Sequence, residues 1–145
     1  MKNDKEKNLF AWYMYDWANS AFATTVIAAL LPIYFATVIV PPNGWEFRLC
    51  NIEIPTNATT LWAFLVGTTA MFVFLTAPIL GAIADISESK KRFLMTFCFG
   101  GSLFTALLFF SRSGDVWMTM IFFFIANTCF ISANTFYDAF LPHIA

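Results

Sequence analysis

Charge is missing from most of this chain, and the pattern of its absence limits what the chain can fold into. No Asp, Glu, Lys or Arg occurs from Trp17 to Trp45, from Ile54 to Ala84, from Phe93 to Ser111 or from Val116 to Tyr137. A helix that crosses the hydrocarbon core of a bilayer needs about 17–25 mostly apolar residues, and each run is long enough. Core helices of a soluble protein would keep a polar face for solvent, which these runs lack. Composition agrees: 59% of the 145 residues are hydrophobic and 12% charged, against about 25% charged in soluble domains. The sequence predicts an all-α, multi-pass integral membrane protein. Its four transmembrane helices, spans 1 to 4, cover about 10–40, 60–84, 93–110 and 116–140, with an outer loop over 41–59 and a cytoplasmic loop over 85–92.

Lysine and arginine set the expected orientation. Lys2, Lys5 and Lys7 precede span 1, and Lys90, Lys91 and Arg92 lie between spans 2 and 3. Only Arg48 and Arg112 fall on the other side. The N-terminus and the 85–92 loop are therefore expected in the cytoplasm of a bacterial-type inner membrane. The 41–59 loop and the turn at Ser111–Asp115 are expected outside. The basic start followed by an apolar run is not a signal peptide, because the run is too long and Asp16 and Asn19 interrupt its beginning.

Several function classes are not expected. The net charge of −1 does not point to nucleic acid. Cys50, Cys98 and Cys129 form no CxxC pair, and His143 is the single histidine, so no disulfide framework, metal site or cofactor is expected. No clustered catalytic constellation is present, which argues against an enzyme.

Local signals divide the chain further. Residues 1–8 are polar and expected to fray. Trp12, Tyr13, Tyr15 and Trp17 suit an interfacial aromatic cluster. Pro32 should bend span 1, and Pro41-Pro42-Asn43-Gly44 should stop it. Pro78 is a second kink site, Gly100-Gly101 allows close backbone approach in span 3, and Pro142 marks the end of span 4. Asn57-Ala58-Thr59 matches a glycosylation acceptor but abuts span 2, and is read as chance.

Three polar stripes carry the candidate chemistry. Asp16, Asn19 and Ser20 stand at i, i+3 and i+4 and share one face of span 1, continued by Ala23 and Ile27. Asn127, Asn134 and Asp138 form a matching stripe on span 4, with Ile131 between. Span 4 runs inward, so Asp138 lies at the cytoplasmic level of Asp16. Polar groups in a membrane helix turn into the protein or a wet cavity rather than to lipid. Helix–helix glue is the alternative, and interhelical amide bonds average only about 0.6 kcal/mol. The third stripe, Ala77, Gly81 and Asp85, ends span 2. Its small residues admit a neighbouring helix, and Asp85 can meet Lys90, Lys91, Arg92 or a helix N-terminus.

Three blocks resemble a known family. They are Tyr15-Asp16-Trp17-Ala18-Asn19-Ser20-Ala21-Phe22, Gly81-Ala82-Ile83-Ala84-Asp85 and Phe136-Tyr137-Asp138-Ala139-Phe140-Leu141-Pro142. Together they look like the vacuole-effluxer-like branch of the major facilitator superfamily. That branch holds fungal autophagy-related vacuolar amino-acid exporters and bacterial permeases. The loop departs from the usual pattern at Ile86 and Glu88, where a basic residue and a glycine are customary. The resemblance implies the first third of a roughly twelve-helix fold whose substrate site lies between two halves. It implies a permease segment moving a small solute by alternating access, in company with transporter helices that this chain lacks. The acidic groups permit a coupling proton. The resemblance also implies that spans 1 and 4 line the central cavity, which makes Asp16, Asn19, Ser20, Asn127, Asn134 and Asp138 candidates for a solute pathway or inner gate. Gly81, Asp85, Lys90, Lys91 and Arg92 are the candidate conformational loop. The competing reading is a small four-helix membrane protein with an assembly or structural role.

Overall fold

The computed structural model describes residues 2–41, 45–49, 52–86 and 90–138. Four helices in it are long and apolar enough to cross a membrane: Leu9–Ile39, Ala58–Ile83, Lys90–Phe110 and Val116–Asp138. These are spans 1 to 4, and they establish the all-helical membrane class. The helix of span 1 begins at Lys2, where fraying was expected. Residues 2–8 are polar but include good helix formers, so the helix continues past the apolar segment. The helix of span 2 likewise runs on to Ile86, and that of span 3 opens at Lys90. The expected 85–92 loop is thus largely helical, with 87–89 outside the described residues, as are the Phe140–Pro142 end signals of span 4.

The 41–59 loop is not plain coil. Trp45–Leu49 (β1) and Ile52–Thr56 (β2) pair antiparallel, with Trp45 opposite Thr56 and Arg48 opposite Glu53. Sequence reading missed this hairpin, although Trp45-Glu46-Phe47-Arg48-Leu49 alternates apolar and polar residues at the strand period of two. Asn57 then caps span 2. Its Oδ1 accepts from the Thr60 backbone N–H at 2.8 Å and the Thr60 hydroxyl at 2.7 Å, the usual role of a short polar side chain before a helix.

Span 1 is not a uniform α-helix. Wide π turns at Phe22–Leu30 and Phe35–Ile39 flank a short α segment, Leu31–Tyr34, that carries Pro32. Proline has no N–H to return to the preceding turn, and its ring crowds the carbonyl there. Threonine hydroxyls compete for the same carbonyls: Thr24 donates to Ser20 O and Thr37 to Ile33 O, each at 2.8 Å. Widened turns relieve both conflicts without breaking the helix.

The apolar core sits at the hairpin end. Leu31, Phe35 and Ile39 repeat every four residues and meet Leu61 and Leu65 of span 2, Leu108 of span 3, and Val116, Met120 and Phe123 of span 4. Phe35, Ile39, Val116 and Phe123 are fully buried. Trp62 bridges Phe35 and Phe123, with ring centroids 5.8 and 4.7 Å away. The turn between spans 3 and 4 ties back to span 1: Gly114 N–H donates to Ile39 O and the Tyr34 hydroxyl to Ser111 O, both at 3.0 Å. Gly114 has φ +92°, a conformation that costs glycine little. Spans 3 and 4 form the closest pair, because Gly100 and Gly101 leave room for Cys129. A Cβ at Gly101 would stand 3.3 Å from the Cys129 Cβ.

Candidate functional site

Away from the hairpin, span 1 meets span 4 through one row of side chains. Trp12, Tyr15, Asn19 and Phe22 advance by three, four and three residues, which keeps them on one side of a helix. Tyr137, Asn134 and Phe130 face them in antiparallel order. The Tyr137 ring stacks on Trp12 at 4.8 Å and on Tyr15 at 4.7 Å, and its hydroxyl donates to the Trp12 carbonyl at 3.3 Å. Asn19 Nδ2 donates to Asn134 Oδ1. Phe22 and Phe130 close the row at 5.0 Å. This amide contact joins two candidate residues drawn from separate stripes.

At about 100° per residue, the row splits span 1 into two flanks. Asp16 and Ser20 lie on one side of Asn19, and Ala18 and Phe22 on the other. Span 4 divides likewise. Asn127, Asn134 and Asp138 share a stripe between the contact with span 1 and the contact with span 2, the latter marked by Phe72 against Phe124 at 5.5 Å. Ala126 and Ala133 lie towards span 3.

The first flank is polar. Asp16, Ser20 and Asp138 are exposed, Asn19 and Asn134 half-buried, and Asn127 is buried at 4%. Asp16 and Asp138 stand one residue from Tyr15 and Tyr137 respectively, whose rings stack. Asn127 shares their stripe but lies deeper, and the carbonyl of exposed Ser20 accepts from the Thr24 hydroxyl.

The other flank is a groove of about 440 Å3 between spans 1, 3 and 4. Tyr15, Ala18 and Phe22 form one wall and Cys98, Ser102 and Ala106 the other, over a floor of span 4. No charged side chain lines it. Sequence reading did not find this groove, although the small residues after Gly100-Gly101 were its signal.

The loop candidates are only partly placed. Gly81 is half-buried near the end of span 2, and a Cβ there would meet nothing within 4 Å. Asp85 belongs to the helix Ala58–Ile86, but its side chain lies outside the described residues. Lys90, Lys91 and Arg92 form the first turn of span 3, which holds no acidic residue. Three cations at a helix N-terminus oppose its dipole, so helix stability does not explain their position. Among the described residues no three His, Cys, Asp or Glu side chains gather as a metal site would require.

One expectation is revised. Trp12 and Tyr15 were grouped with Tyr13 and Trp17 as interfacial aromatics. Tyr13 and Trp17 are exposed at 56% and 71%, whereas Trp12 and Tyr15 pack on Tyr137. The seven-residue recurrence of Tyr15 and Phe22, with Trp12 and Asn19 interleaved, was the available signal.

The chain has relatives among known proteins. A family model described as "Vacuole effluxer Atg22 like" matches residues 4–145. The chain is similar to an uncharacterized MFS-type transporter, YxiO, of Bacillus subtilis, at 34% identity over 97% of this chain and 30% of that protein. It is also similar to autophagy-related protein 22 of Cryptococcus neoformans, at 26% identity over 93% of this chain and 28% of the relative. The same-named protein of Coccidioides immitis matches at 23% identity over 94% and 28%. The chain therefore spans 30% or less of the length of these relatives. No solved structure matches it.

Proposed function

This chain belongs to the vacuole effluxer Atg22-like family, and from that premise we propose that it forms the N-terminal part of a secondary permease moving a small solute by alternating access. One relative is an MFS-type transporter by name and the family model describes a vacuole effluxer, which fits a membrane carrier rather than an enzyme. Amino acids are the solute class that the family resemblance implies.

The observation that carries this reading is the Asn19–Asn134 contact, with Asp16 and Asp138 exposed one helical turn away on the same two spans. Polar side chains inside membrane helices are costly and gather where a solute or ion passes. Here two spans put amides and carboxylates on one flank of their shared row. The flank opens between spans 1 and 2, and we assign it to the inner mouth of the pathway, with Ser20 and Asn127 extending it along the two helices. The second half of the transporter would close it. A coupling proton is part of the proposal, carried by Asp16 or Asp138.

The proposal has the N-terminus in the cytoplasm. The three cations opening span 3 support this, since they sit where the helix dipole disfavours them but where positive charge is retained inside a cell. Asp85, at the end of the Ala77–Gly81 stripe, is proposed to lock a closed state against a helix from beyond this chain.

The test is solute transport by the full-length protein in vesicles. Asp16→Asn and Asp138→Asn, singly and together, should abolish or strongly slow transport while folding stays unchanged, and Asp85→Asn should slow it. Normal rates and normal pH dependence in the Asp16/Asp138 double variant would remove the mouth and return the stripes to packing. A wild-type rate for Asp85→Asn would remove the lock.

A further inference from the structure

Hydroxyls within the spans commonly turn back on their own helix. Thr69, Ser102 and Thr105 donate to the carbonyls of Leu65, Cys98 and Gly101, four residues earlier, at 2.7–2.8 Å. This satisfies a polar side chain at a depth where lipid offers no partner. Span 4 departs from it on one face. Phe124, Thr128 and Ser132 follow at four-residue steps and share that face, and Phe124 meets Phe72 of span 2 there. The Thr128 and Ser132 hydroxyl oxygens are buried and have no hydrogen-bond partner among the described residues. Ser132 is only 3% exposed. Native proteins rarely leave a buried polar atom in that state.

Ser132 also borders a small cavity. Ala77 and Leu80 of span 2 and Ser132, Thr135 and Phe136 of span 4 enclose about 10 Å3. A water molecule needs at least about 10–15 Å3 and two to four polar partners. Two hydroxyls are present. Ser132 can donate and accept. Thr135 gives its proton to Ile131 O at 3.1 Å, which leaves its oxygen able to accept. Thr128 lies one turn away and does not border this cavity, so the site rests on Ser132.

We propose that this cavity is the binding site of one ordered water molecule, held to span 4 by Ser132 and Thr135. Ser132 donates to the water, and the water donates to Thr135. The space is too small for a polyatomic solute. Its lining has neither the carboxylates nor the number of oxygens that a hard metal ion takes. Thr135 is exposed, so the water enters on that side, where Asp138, three residues on, is exposed too. Both hydroxyls belong to span 4. Span 2 meets the water through the apolar side chains of Ala77 and Leu80, and these two helices can shift against each other without breaking either bond.

Two measurements on the full-length protein test this. X-ray pulses split bound water into hydroxyl radicals, which oxidise the side chains touching it, and mass spectrometry locates the oxidised residues. Phe136 borders the cavity yet is only 3% exposed. It should be oxidised in the wild-type protein, while Phe123, fully buried and bordering neither this cavity nor the groove, should stay intact. Oxidation of Phe136 should be lost in Ser132→Ala. It should also be lost in Ala77→Val, which fills the cavity from span 2 and leaves the hydroxyl in place. The melting temperature of Ser132→Ala should not rise. A dry cavity would leave Phe136 intact in the wild-type protein and raise that melting temperature, because an unpartnered buried hydroxyl has been removed. A Ser132 hydroxyl turned to the Thr128 carbonyl would leave the oxidation of Phe136 the same with and without it. Either result overturns the proposal, as does oxidation that persists in Ala77→Val. None of these outcomes depends on whether Asp16 or Asp138 supports transport.

Discussion

The two ends of this molecule are held together by different means. At the hairpin end, all four spans converge on buried Phe35, Ile39, Val116 and Phe123, and backbone bonds from Gly114 and a Tyr34 bond pin the turn between spans 3 and 4 to span 1. At the other end, span 1 touches span 4 through one row, Trp12, Tyr15, Asn19 and Phe22, with exposed Asp16 and Ser20 on one flank and the groove on the other. The difference teaches where such a protein can change. A densely packed end has few alternative arrangements, whereas a single row lets a helix pivot. The π turns at Phe22–Leu30 lie between the two ends. Wide turns of this kind are frequent at functional sites in helices.

The comparison breaks at once if the two ends do not face opposite sides of the membrane. Labelling of single cysteines from outside intact cells gives an all-or-none answer. Position 50, expected on the outer side, should be modified, and Ser89→Cys and His143→Cys should be spared. Modification at 89 would reverse the orientation and turn the sealed end inward.

The next largest effect is on stability. Truncating a buried phenylalanine costs about 3–5 kcal/mol in soluble cores. Lipid is as apolar as the core, so only the packing part of that cost survives in a membrane. Phe35→Ala should still lower the melting temperature of the full-length protein more than Trp12→Ala, because Phe35 is fully buried and Trp12 only half so. Equal losses at the two positions would show that the row is as rigid as the core.

The four spans were legible because desolvating charge costs more than any local preference, so charge-free runs mark them directly. The stripes were legible because Asp16, Asn19 and Ser20 repeat with the helix period. Which residue of span 4 Asn19 meets was not, since the register between two helices depends on how all the bulky neighbours fit. Trp12 and Tyr15 were misassigned because tryptophan and tyrosine suit a membrane interface and a stacked row equally well. The hairpin was overlooked although Ile52-Glu53-Ile54 and Trp45-Glu46-Phe47 carry the strand period. The groove between spans 1, 3 and 4 was signalled only by the small residues after Gly100-Gly101, because its opening depends on how far apart spans 1 and 3 stand.

The smallest expected effect is the sharpest probe of the row. Asn19 and Asn134 share one hydrogen bond, and such bonds in membrane proteins average about 0.6 kcal/mol and reach about 1.7. A double-mutant cycle with Asn19→Ala and Asn134→Ala, read by unfolding of the full-length protein, should give a coupling energy in that range and little loss of stability. Transport in the same variants should fall far more than stability, because the pair lies on the proposed pathway rather than in the core. Coupling well above about 1.7 kcal/mol, with transport falling only in proportion to the folded fraction, would make the pair a structural clamp. The contrast would then lie between two kinds of packing, apolar at one end and polar at the other. Weak coupling with lost transport would instead show that the open end keeps its amides for the solute.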